Sequence, residues 1–219
     1  MVLSDISFSI NKGEAVALVG ENGAGKTTLI RILSLILKPD KGSASLDNIS
    51  FSDNPGYIKN RTGTLFSGDG ALYDRLSAKE NILYYAQLNG VKKTVYNRML
   101  ETLTDDLSLK DFINDKVSTF SRGMKQRTAL ARTLITNPDF VILDEPSTGL
   151  DIIACNSVKK IINGLKAGGK TVLFSSHSTD EIFSCADRII VIHKGKINCD
   201  KTSGSYQSEH GKDLTFYIK

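Results

Sequence analysis

Residues 15–27 read Ala-Val-Ala-Leu-Val-Gly-Glu-Asn-Gly-Ala-Gly-Lys-Thr, and they are the strongest indication of how the chain folds. The apolar run Ala15–Val19 is typical of a strand that is buried on both faces. A glycine-rich loop follows at residues 20–25, and a helical pattern begins directly after it. Glycines between a strand and a helix N-terminus allow the backbone to wrap closely around an anion. The stretch therefore predicts a phosphate-binding loop.

The loop matches the P-loop pattern Gly-x-x-x-x-Gly-Lys-Thr at Gly20, Gly25, Lys26 and Thr27. In that motif the lysine reaches the β- and γ-phosphates of a nucleotide, and the hydroxyl beside it is a ligand of Mg²⁺. We expect Lys26 to reach the β- and γ-phosphates and to act in catalysis. We expect the Thr27 hydroxyl to be a ligand of Mg²⁺. The alternative is a chance glycine-rich turn, which the strand before it and the helix after it disfavour. The predicted nucleotide-binding residues here are Gly20, Glu21, Asn22, Gly23, Ala24, Gly25, Lys26, Thr27 and Thr28.

A second apolar strand pattern, Phe140–Asp144, ends in two adjacent acids, because Glu145 follows it. Acids at the carboxyl end of a parallel strand project into the crevice where a ligand binds. We expect Asp144 to hold Mg²⁺, directly or through water, and Glu145 to polarise the attacking water as a general base. Taken alone, such an acid pair is usually only the end of a strand. The P-loop elsewhere in the chain is what favours catalysis.

Strands alternate with helices along much of the chain. After the strand that precedes the P-loop, buried-strand patterns return at residues 140–143 and 171–174, with helical patterns around them. Near the start, Ile6, Phe8 and Ile10 alternate with polar residues, which predicts a half-buried strand. This order favours an α/β fold with a mainly parallel sheet. Together with the P-loop it resembles the RecA-like core of the P-loop NTPases, and that resemblance implies some antiparallel strands and an inserted helical subdomain.

Residues 74–137 differ from the rest because their pattern is largely helical. Ser77 and Glu80 form the sequence pattern of a capping box at the start of a helix. We interpret this region as a helical subdomain inserted into a single domain. Residues 1–73 and 138–219 would then form the nucleotide-binding core.

Two further boundaries are predicted from local patterns. The helix after the P-loop is expected to continue to near Lys38 and Pro39, where proline favours an end. Beyond Lys194 the pattern is irregular and predicts only a short strand at residues 214–218.

Composition limits the possible classes of protein. The chain has 219 residues, is 40% hydrophobic and carries a net charge of +4 spread along the sequence, which indicates a folded domain rather than a disordered tail. Cys155, Cys185 and Cys199 lack the spacing of a zinc site or a disulfide framework, so a reducing compartment is expected. The most apolar stretch, residues 29–37, is about half the length of a membrane span. No signal peptide is evident at the start.

A serine-bearing segment precedes the acidic strand. Residues 119–127 read Thr-Phe-Ser-Arg-Gly-Met-Lys-Gln-Arg and begin a predicted helix. The segment resembles the signature motif Leu-Ser-Gly-Gly-Gln of the ABC ATPases, in the form seen in many ABC-2 type exporters. Ser121 and Gly123 match that motif, and a serine with small residues at a helix N-terminus is suited to bind an anion. The resemblance therefore implies that Ser121 and Gly123 bind nucleotide, whereas the segment alone would indicate only an N-capped helix.

Two more segments resemble the same family. Residues 147–151, just after the acid pair, resemble the D-loop, and residues 175–177 resemble the segment of the switch histidine. Among the three histidines, His177 is the one placed after a buried strand beside the proposed site. The resemblance thus implies that His177 contacts the γ-phosphate and is catalytic. His193 and His210 fit surface or strand-filling positions better.

The resemblance extends from the first predicted strand to about Lys196 and implies a shared active site. In this family two subunits, either two copies or two homologous ATPase subunits, pack head to tail around ATP and Mg²⁺. Glu145 and His177 of one subunit would then face the signature segment of the other across the nucleotide. Closing on ATP and opening after hydrolysis would move the helices of a membrane-spanning partner subunit. The implied location is cytoplasmic, at the inner face of the cell membrane.

The chain departs from the family pattern at two places. The glutamine of the Q-loop is missing, since its position falls at or near Gly68 within Phe-Ser-Gly-Asp-Gly. One alternative is that Ser67 or Asp69 takes over the contact of the glutamine with Mg²⁺ or water. The other is that ATP hydrolysis is coupled to the membrane partner without that ligand. The aromatic residue that stacks on adenine upstream of the first strand is also missing, and such stacking is commonly worth about 1–3 kcal/mol.

Three functions fit these motifs to different degrees. Residues 72–76 and 79–88 resemble subunits of ABC-2 exporters, among them sodium and drug efflux systems, so the leading hypothesis is an ATPase that drives export. An ABC ATPase that acts on nucleic acid or ribosomes is the alternative, although such relatives generally carry a second ATPase domain, coiled coils or zinc modules. We expect no nucleic-acid partner. A nucleotide sensor that does not hydrolyse ATP is the third possibility, because of the two departures.

Overall fold

The computed structural model describes residues 2–68, 72–214 and 216–217. A six-stranded sheet in the order β4-β5-β6-β1-β7-β8 forms its centre, and β2 and β3 form a separate two-stranded hairpin. The strands are β1 (Ala15–Val19), β2 (Ser45–Leu46), β3 (Ile49–Ser50), β4 (Thr62–Leu65), β5 (Phe140–Asp144), β6 (Thr171–Ser175), β7 (Arg188–His193) and β8 (Lys196–Thr202). The helices are α1 (Lys26–Leu33), α2 (Pro55–Arg61), α3 (Ala78–Leu88), α4 (Lys93–Asp106), α5 (Arg122–Leu134), α6 (Ile152–Ala167), α7 (Thr179–Cys185) and α8 (Ser203–His210).

The sheet is mainly parallel, as the alternation of strands and helices predicts. Strand β1 lies between β6 and β7 and is parallel to both, and β4, β5 and β6 are parallel to one another. Strand β8 is antiparallel to β7. The predicted α/β fold with a mainly parallel sheet and antiparallel additions is therefore confirmed. Because parallel strands end at one edge, the segments after β1, β5 and β6 lie side by side.

The core lies on both faces of the sheet. In β1, Ala15, Ala17 and Val19 pack into one hydrophobic cluster, and Val16 and Leu18 pack into a second cluster on the opposite face. All five residues are buried. This two-sided burial explains the unbroken apolar run, because successive side chains of a strand point to opposite faces. It also anchors the start of the P-loop firmly.

Between residues 74 and 137 the described elements are the helices α3, α4 and α5 and one 3-10 turn. The capping box at the start of α3 is confirmed, since the Ser77 hydroxyl accepts from the Glu80 amide and the Glu80 carboxylate accepts from the Ser77 amide. Buried residues of these helices share the larger hydrophobic cluster with alternate residues of β1 and β5. Helix α5 is consequently held against the sheet, and its N-terminus carries the signature segment.

Three local predictions differ from the structure. The segment around Phe8 forms no strand in the described chain, although its alternating apolar side chains are half-buried against the second cluster as expected. Helix α1 ends at Leu33, before the predicted Lys38, because Leu35 adopts a left-handed backbone (φ 57°) that breaks the helix. Leu214 and residues 216–217 lie in turns instead of the short strand, and residues 215 and 218 of that prediction lie outside the described residues.

Two properties of the described residues can be compared with the expectations from composition: the lack of a membrane span and the state of the cysteines. No helix among them is long and apolar enough to cross a membrane. All three cysteines are free, and burial raises the pKa of the Cys185 thiol to about 11, with the negative charge of Glu181 adding to the effect. A thiol with so high a pKa is almost entirely protonated at neutral pH and therefore unreactive.

Candidate functional site

The P-loop joins β1 to α1, and a side chain at either of two of its glycines would strain it. A Cβ atom at Gly20 would lie 2.3 Å from the carbonyl oxygen of Ile192, so any larger residue would displace the backbone of β7. Gly25 has a φ of 111°, and a Cβ there would lie 2.4 Å from Leu3 Cδ2. The N-terminal amides of α1 lack partners within the helix, which makes this loop suited to hold phosphate oxygens.

Lys26 is a buried cation at the start of α1. Its Nζ donates to the carbonyl oxygens of Gly20, at 2.6 Å, and Glu21, at 3.1 Å. Burial lowers the pKa of Lys26, and the negative charges of Glu145 and Asp144 act in the opposite direction. The ammonium group thus lies inside the loop, close to the acids that follow β5, where a strong anion would be favourable.

Three hydroxyl groups converge on Asp144, which is buried at the end of β5. Ser175 donates to Oδ1 at 2.7 Å, and Thr27 and Ser67 both donate to Oδ2 at 3.2 Å. The two predicted metal ligands, Thr27 and Asp144, are therefore in contact. Ser67, one of the two candidates to replace the missing glutamine, shares the same carboxylate oxygen. The other candidate, Asp69, lies outside the described residues.

Glu145 is held in an uncommon backbone conformation. Its φ is 50°, in the left-handed region that non-glycine residues seldom adopt, and its amide donates to Ser175 Oγ at 2.9 Å. Its carboxylate is shared between two segments: Oε1 lies 3.2 Å from His177 Nε2, and Oε2 accepts from Thr148 Oγ1 at 3.0 Å. The structure thus places the predicted base, the predicted switch histidine and the D-loop segment at one point.

The signature residues lie at the N-terminus of α5. Ser121 is the exposed N-cap, and its hydroxyl accepts from the Met124 amide at 3.3 Å. In the described parts of the chain, no hydrogen bond or ion pair joins Ser121 or Gly123 to the P-loop, to Asp144 or to Glu145. Ser121 and Gly123 therefore make no contact of this kind with the other predicted site residues of the same chain.

The remaining predicted nucleotide-binding residues lie within the P-loop and the first turn of α1. Glu21, Asn22 and Gly23 are exposed, Ala24 is buried and Thr28 is partly buried. The Glu21 carboxylate lies 3.8 Å from His193 Nδ1 at the end of β7. The exposed tip of the loop consequently faces away from the packed base that Gly20 and Ala24 form.

Ser175 and Thr148 are site residues to which sequence reasoning assigned no role. A signal for Ser175 was present, because β5 and β6 are neighbouring parallel strands whose register pairs Asp144 with Ser175. A polar residue at the end of the neighbouring strand is thereby placed beside the acid. Thr148 had no such signal, since its contact with Glu145 depends on the turn that follows β5.

This fold and site define a P-loop nucleotide-binding protein. The sequence pattern described as ABC transporter matches residues 3–148, and the chain belongs to the ABC transporter family. Among its relatives, the ABC transporter ATP-binding protein NatA of Bacillus subtilis (strain 168) is 41% identical over 97% of this chain and 87% of the relative. The Nod factor export ATP-binding protein I of Burkholderia orbicola (strain AU 1054) is 34% identical over 98% of this chain and 70% of the relative.

A solved structure agrees with this family. The dimeric structure of a post-hydrolysis state of an ATP-binding cassette bound to ADP and Pi superimposes with a TM-score of 0.83 at 26% identity, over 92% of this chain and 90% of that chain. The chain is accordingly an ATP-binding subunit of an ABC transporter and an ATPase. Transport is favoured over action on nucleic acid or ribosomes, the alternative considered from the sequence.

Proposed function

We propose that the chain binds and hydrolyses MgATP at a head-to-tail dimer interface and drives export through a separate membrane-spanning subunit. The observation that carries the proposal is the position of Glu145, whose carboxylate contacts His177 and Thr148 and directly follows the Asp144 site. A carboxylate in this place can take a proton from the water that attacks the γ-phosphate. Glu145 is the base in this proposal, and Lys26 and His177 are the other catalytic residues.

The P-loop holds the phosphates in this proposal. Residues 20–28 supply backbone amides, and Lys26 supplies a positive charge. Lys26 Nζ is bonded to two neutral carbonyl oxygens, and a phosphate oxygen is a stronger partner for an ammonium group. Binding of ATP would therefore replace these internal bonds and offset the cost of burying the Lys26 charge.

The oxygen donors around Asp144 fit Mg²⁺. Magnesium binds hard oxygen ligands at about 2.0–2.1 Å in octahedral geometry, which places neighbouring ligand oxygens about 2.9 Å apart. The Thr27 and Ser67 hydroxyls each lie 3.2 Å from the same Asp144 oxygen, close to this spacing. In the proposal Thr27 and Asp144 hold the ion, and Ser67 takes the place of the absent glutamine. When bound, Mg²⁺ would neutralise charge on the phosphate oxygens.

His177 is suited to sense the γ-phosphate. Its side chain is 48% exposed at the carboxyl end of the sheet, and the tautomer with a proton on Nε2 can donate to Glu145 Oε1. The same N–H can turn to a phosphate oxygen. His177 would thus link the presence of the γ-phosphate to the orientation of the base.

The separation of Ser121 from the P-loop supports a shared site. Ser121 is exposed at the N-terminus of α5, where an anion is favoured by the helix dipole. An ATP held by the P-loop of one subunit would be covered by Ser121 and Gly123 of a second copy, or of a homologous ATPase subunit. The dimeric cassette with ADP and Pi is a precedent for a dimer of this fold that binds nucleotide.

A membrane-spanning subunit is the proposed partner at the helical region. Tyr73, Tyr84 and Leu88 are exposed there, with 53%, 41% and 64% of their surfaces accessible, and the two tyrosine rings stack edge to face. Exposed aromatic residues beside an aliphatic one are common in protein interfaces. The chain would then lie at the inner face of the cell membrane, and the name of the Nod factor export relative supports export.

The decisive experiment is nucleotide-driven dimerisation. We expect the Glu145→Gln variant to form a dimer with ATP and Mg²⁺, measured by light scattering, because binding is retained while hydrolysis is lost. The Lys26→Ala variant is the control and should remain monomeric. Failure of Glu145→Gln to associate, even with the membrane subunit supplied, would overturn the proposal.

A mixing experiment tests the shared site. Ser121→Ala and Lys26→Ala are each expected to be inactive alone. A mixed dimer of the two variants contains one intact site, formed by the P-loop of the Ser121→Ala chain and the signature of the Lys26→Ala chain. Phosphate release should therefore reappear on mixing. If each chain formed its whole site alone, mixing would restore nothing.

A further inference from the structure

Glu181 is a buried carboxylate that the proposed reaction does not use. It lies in the first turn of α7 and is 3% exposed. In residues 2–68, 72–214 and 216–217, no ion pair to Glu181 is formed. Its partners are instead two hydroxyls: Ser147 donates to Oε1 and Ser176 donates to Oε2, each at 2.5 Å. A buried carboxylate is costly without hydrogen bonds, and bonds to a charged acceptor are strong.

The two serines belong to the two segments that hold the catalytic base. Ser147 precedes Thr148 in the D-loop segment, and Ser176 precedes His177 in the switch segment. Thr148 and His177 contact the Glu145 carboxylate, while their neighbours contact the Glu181 carboxylate. Two carboxylates therefore join residues 147–148 to residues 176–177. The Glu145 carboxylate does so at the reacting site, and the Glu181 carboxylate does so in the buried region beside it.

Capping of α7 does not explain this placement. Ser178 and Glu181 have the spacing of a capping box, in which the glutamate would accept from the Ser178 amide. Only half of the box forms: the Ser178 hydroxyl accepts from the Glu181 amide at 3.3 Å. The Ser178 amide donates to Ser176 Oγ instead, at 3.0 Å. The Glu181 carboxylate is thus free to join the D-loop and switch segments.

We propose that Glu181 is a positioning residue that sets the distance between residues 147–148 and 176–177. By holding Ser147 and Ser176 together it keeps Thr148 and His177 both in reach of Glu145. A change of position in one segment is transmitted to the other through this buried contact. The inference rests on the proposed function, because it assigns Glu181 a role through His177 and Glu145.

The test is the rate of ATP hydrolysis by the full-length variants with the membrane subunit supplied. Glu181→Ala should lower kcat about tenfold or more, with KM for ATP within about twofold of wild type, since small misplacements of catalytic groups have large effects on rate. Glu181→Gln should recover most of the rate, because an amide can accept from one serine and donate to the other. Asp180→Asn, an exposed carboxylate on the same helix, is the matched control and should leave kcat unchanged.

A double variant separates positioning from simple support of the fold. If Glu181 acts through Thr148 and His177, adding Glu181→Ala to a variant that carries both Thr148→Ala and His177→Ala should cost little further rate. The proposal would be overturned if the fold-losses in kcat multiplied in the combined variant. It would also be overturned if Glu181→Ala alone had the wild-type kcat. If Glu181→Ala unfolds, Ser147→Ala and Ser176→Ala replace it, and their double variant should be no slower than the slower single one; multiplied losses would overturn the proposal here too.

The outcomes also distinguish this inference from the proposed function. If Glu145→Gln and His177→Ala hydrolyse ATP at the wild-type rate, the proposed function fails and Glu181 has no base to position. If those two variants are inactive and Glu181→Ala is fully active, only the positioning role fails.

Discussion

His177 Nε2 lies 3.2 Å from Glu145 Oε1, although the two residues are 32 positions apart. They are brought together because β5 and β6 are parallel neighbours, and each residue follows the carboxyl end of its strand. A γ-phosphate would therefore compete with Glu145 for the same Nε2 atom.

His177→Ala should slow hydrolysis by about 10²-fold or more, because the base loses the group that orients it. Binding of ATP should persist, since the P-loop is untouched. Phosphate release and ATP-driven dimerisation measure the two effects separately. His210→Gln, at the end of α8, is the control, because in the described chain the His210 ring contacts Tyr206, Phe216 and Tyr217 and not the site residues. Equal hydrolysis rates for His177→Ala and wild type would remove His177 from the mechanism.

Ser67→Ala should weaken metal binding, because it removes one of the hydroxyls that meet at Asp144 Oδ2. With Mn²⁺ as the probe and ATP bound to the Glu145→Gln protein, we expect the apparent metal dissociation constant to rise about tenfold. Electron paramagnetic resonance of free Mn²⁺ gives this constant without any turnover. Ser52→Ala, an exposed serine near β3, is the matched control. An unchanged constant would show that Ser67 does not replace the glutamine.

Gly20→Ala should destabilise the protein, whereas Gly164→Ala should not. A Cβ at Gly20 would lie 2.3 Å from a backbone oxygen, and nothing lies within 4 Å of a Cβ at Gly164 in α6. We expect a loss of about 1–3 kcal/mol for the first and a gain of about 0.5–1 kcal/mol for the second, since alanine favours helices. Urea unfolding of both variants measures the difference. The opposite ranking would contradict the packing of the P-loop against β7.

Lys26→Met should stabilise the nucleotide-free protein while abolishing its stabilisation by ATP. Burial lowers the pKa of Lys26, so the charged form costs folding free energy at every pH below the folded-state value. That cost fades as the pH rises through the folded-state pKa and is absent above the ordinary value of 10.5. Thermal unfolding at pH 7 and in the alkaline range should show the advantage of methionine shrinking. A lower Tm for Lys26→Met at pH 7 would contradict the prediction.

Much of the site could be predicted from local sequence. The apolar run of β1, the glycines after it and the acids after β5 each lie within one short segment, so their geometry follows from a strand, a turn and a helix N-terminus. The parallel sheet follows from the order of these segments. A contact of Ser67 with Mg²⁺ or water could be stated only as one of several alternatives, because the missing glutamine left no pattern to follow, and its hydrogen bond to Asp144 was not predicted.

Other features depend on contacts between distant segments. The alternation at Phe8 indicates which side chains are half-buried, but a strand also needs a backbone partner, which no local pattern specifies. Leu35 ends α1 through its own left-handed conformation, which apolar periodicity does not reveal. Ser178 and Glu181 have the spacing of a capping box, yet the carboxylate turns to Ser147, 34 positions away.

The fold class, the phosphate loop and the order of motifs that place this chain among the ABC ATPases could all be inferred from the amino-acid sequence. Local backbone preferences and the burial of strand residues are sufficient for these features. The three-dimensional structure was needed to show that Asp144 accepts hydrogen bonds from Thr27, Ser67 and Ser175. It was also needed to show that Glu181 binds the D-loop and switch segments. Such contacts depend on strand register and on the conformations of turns, which bring together residues that are distant in the sequence. Local sequence patterns specify neither the register nor these conformations.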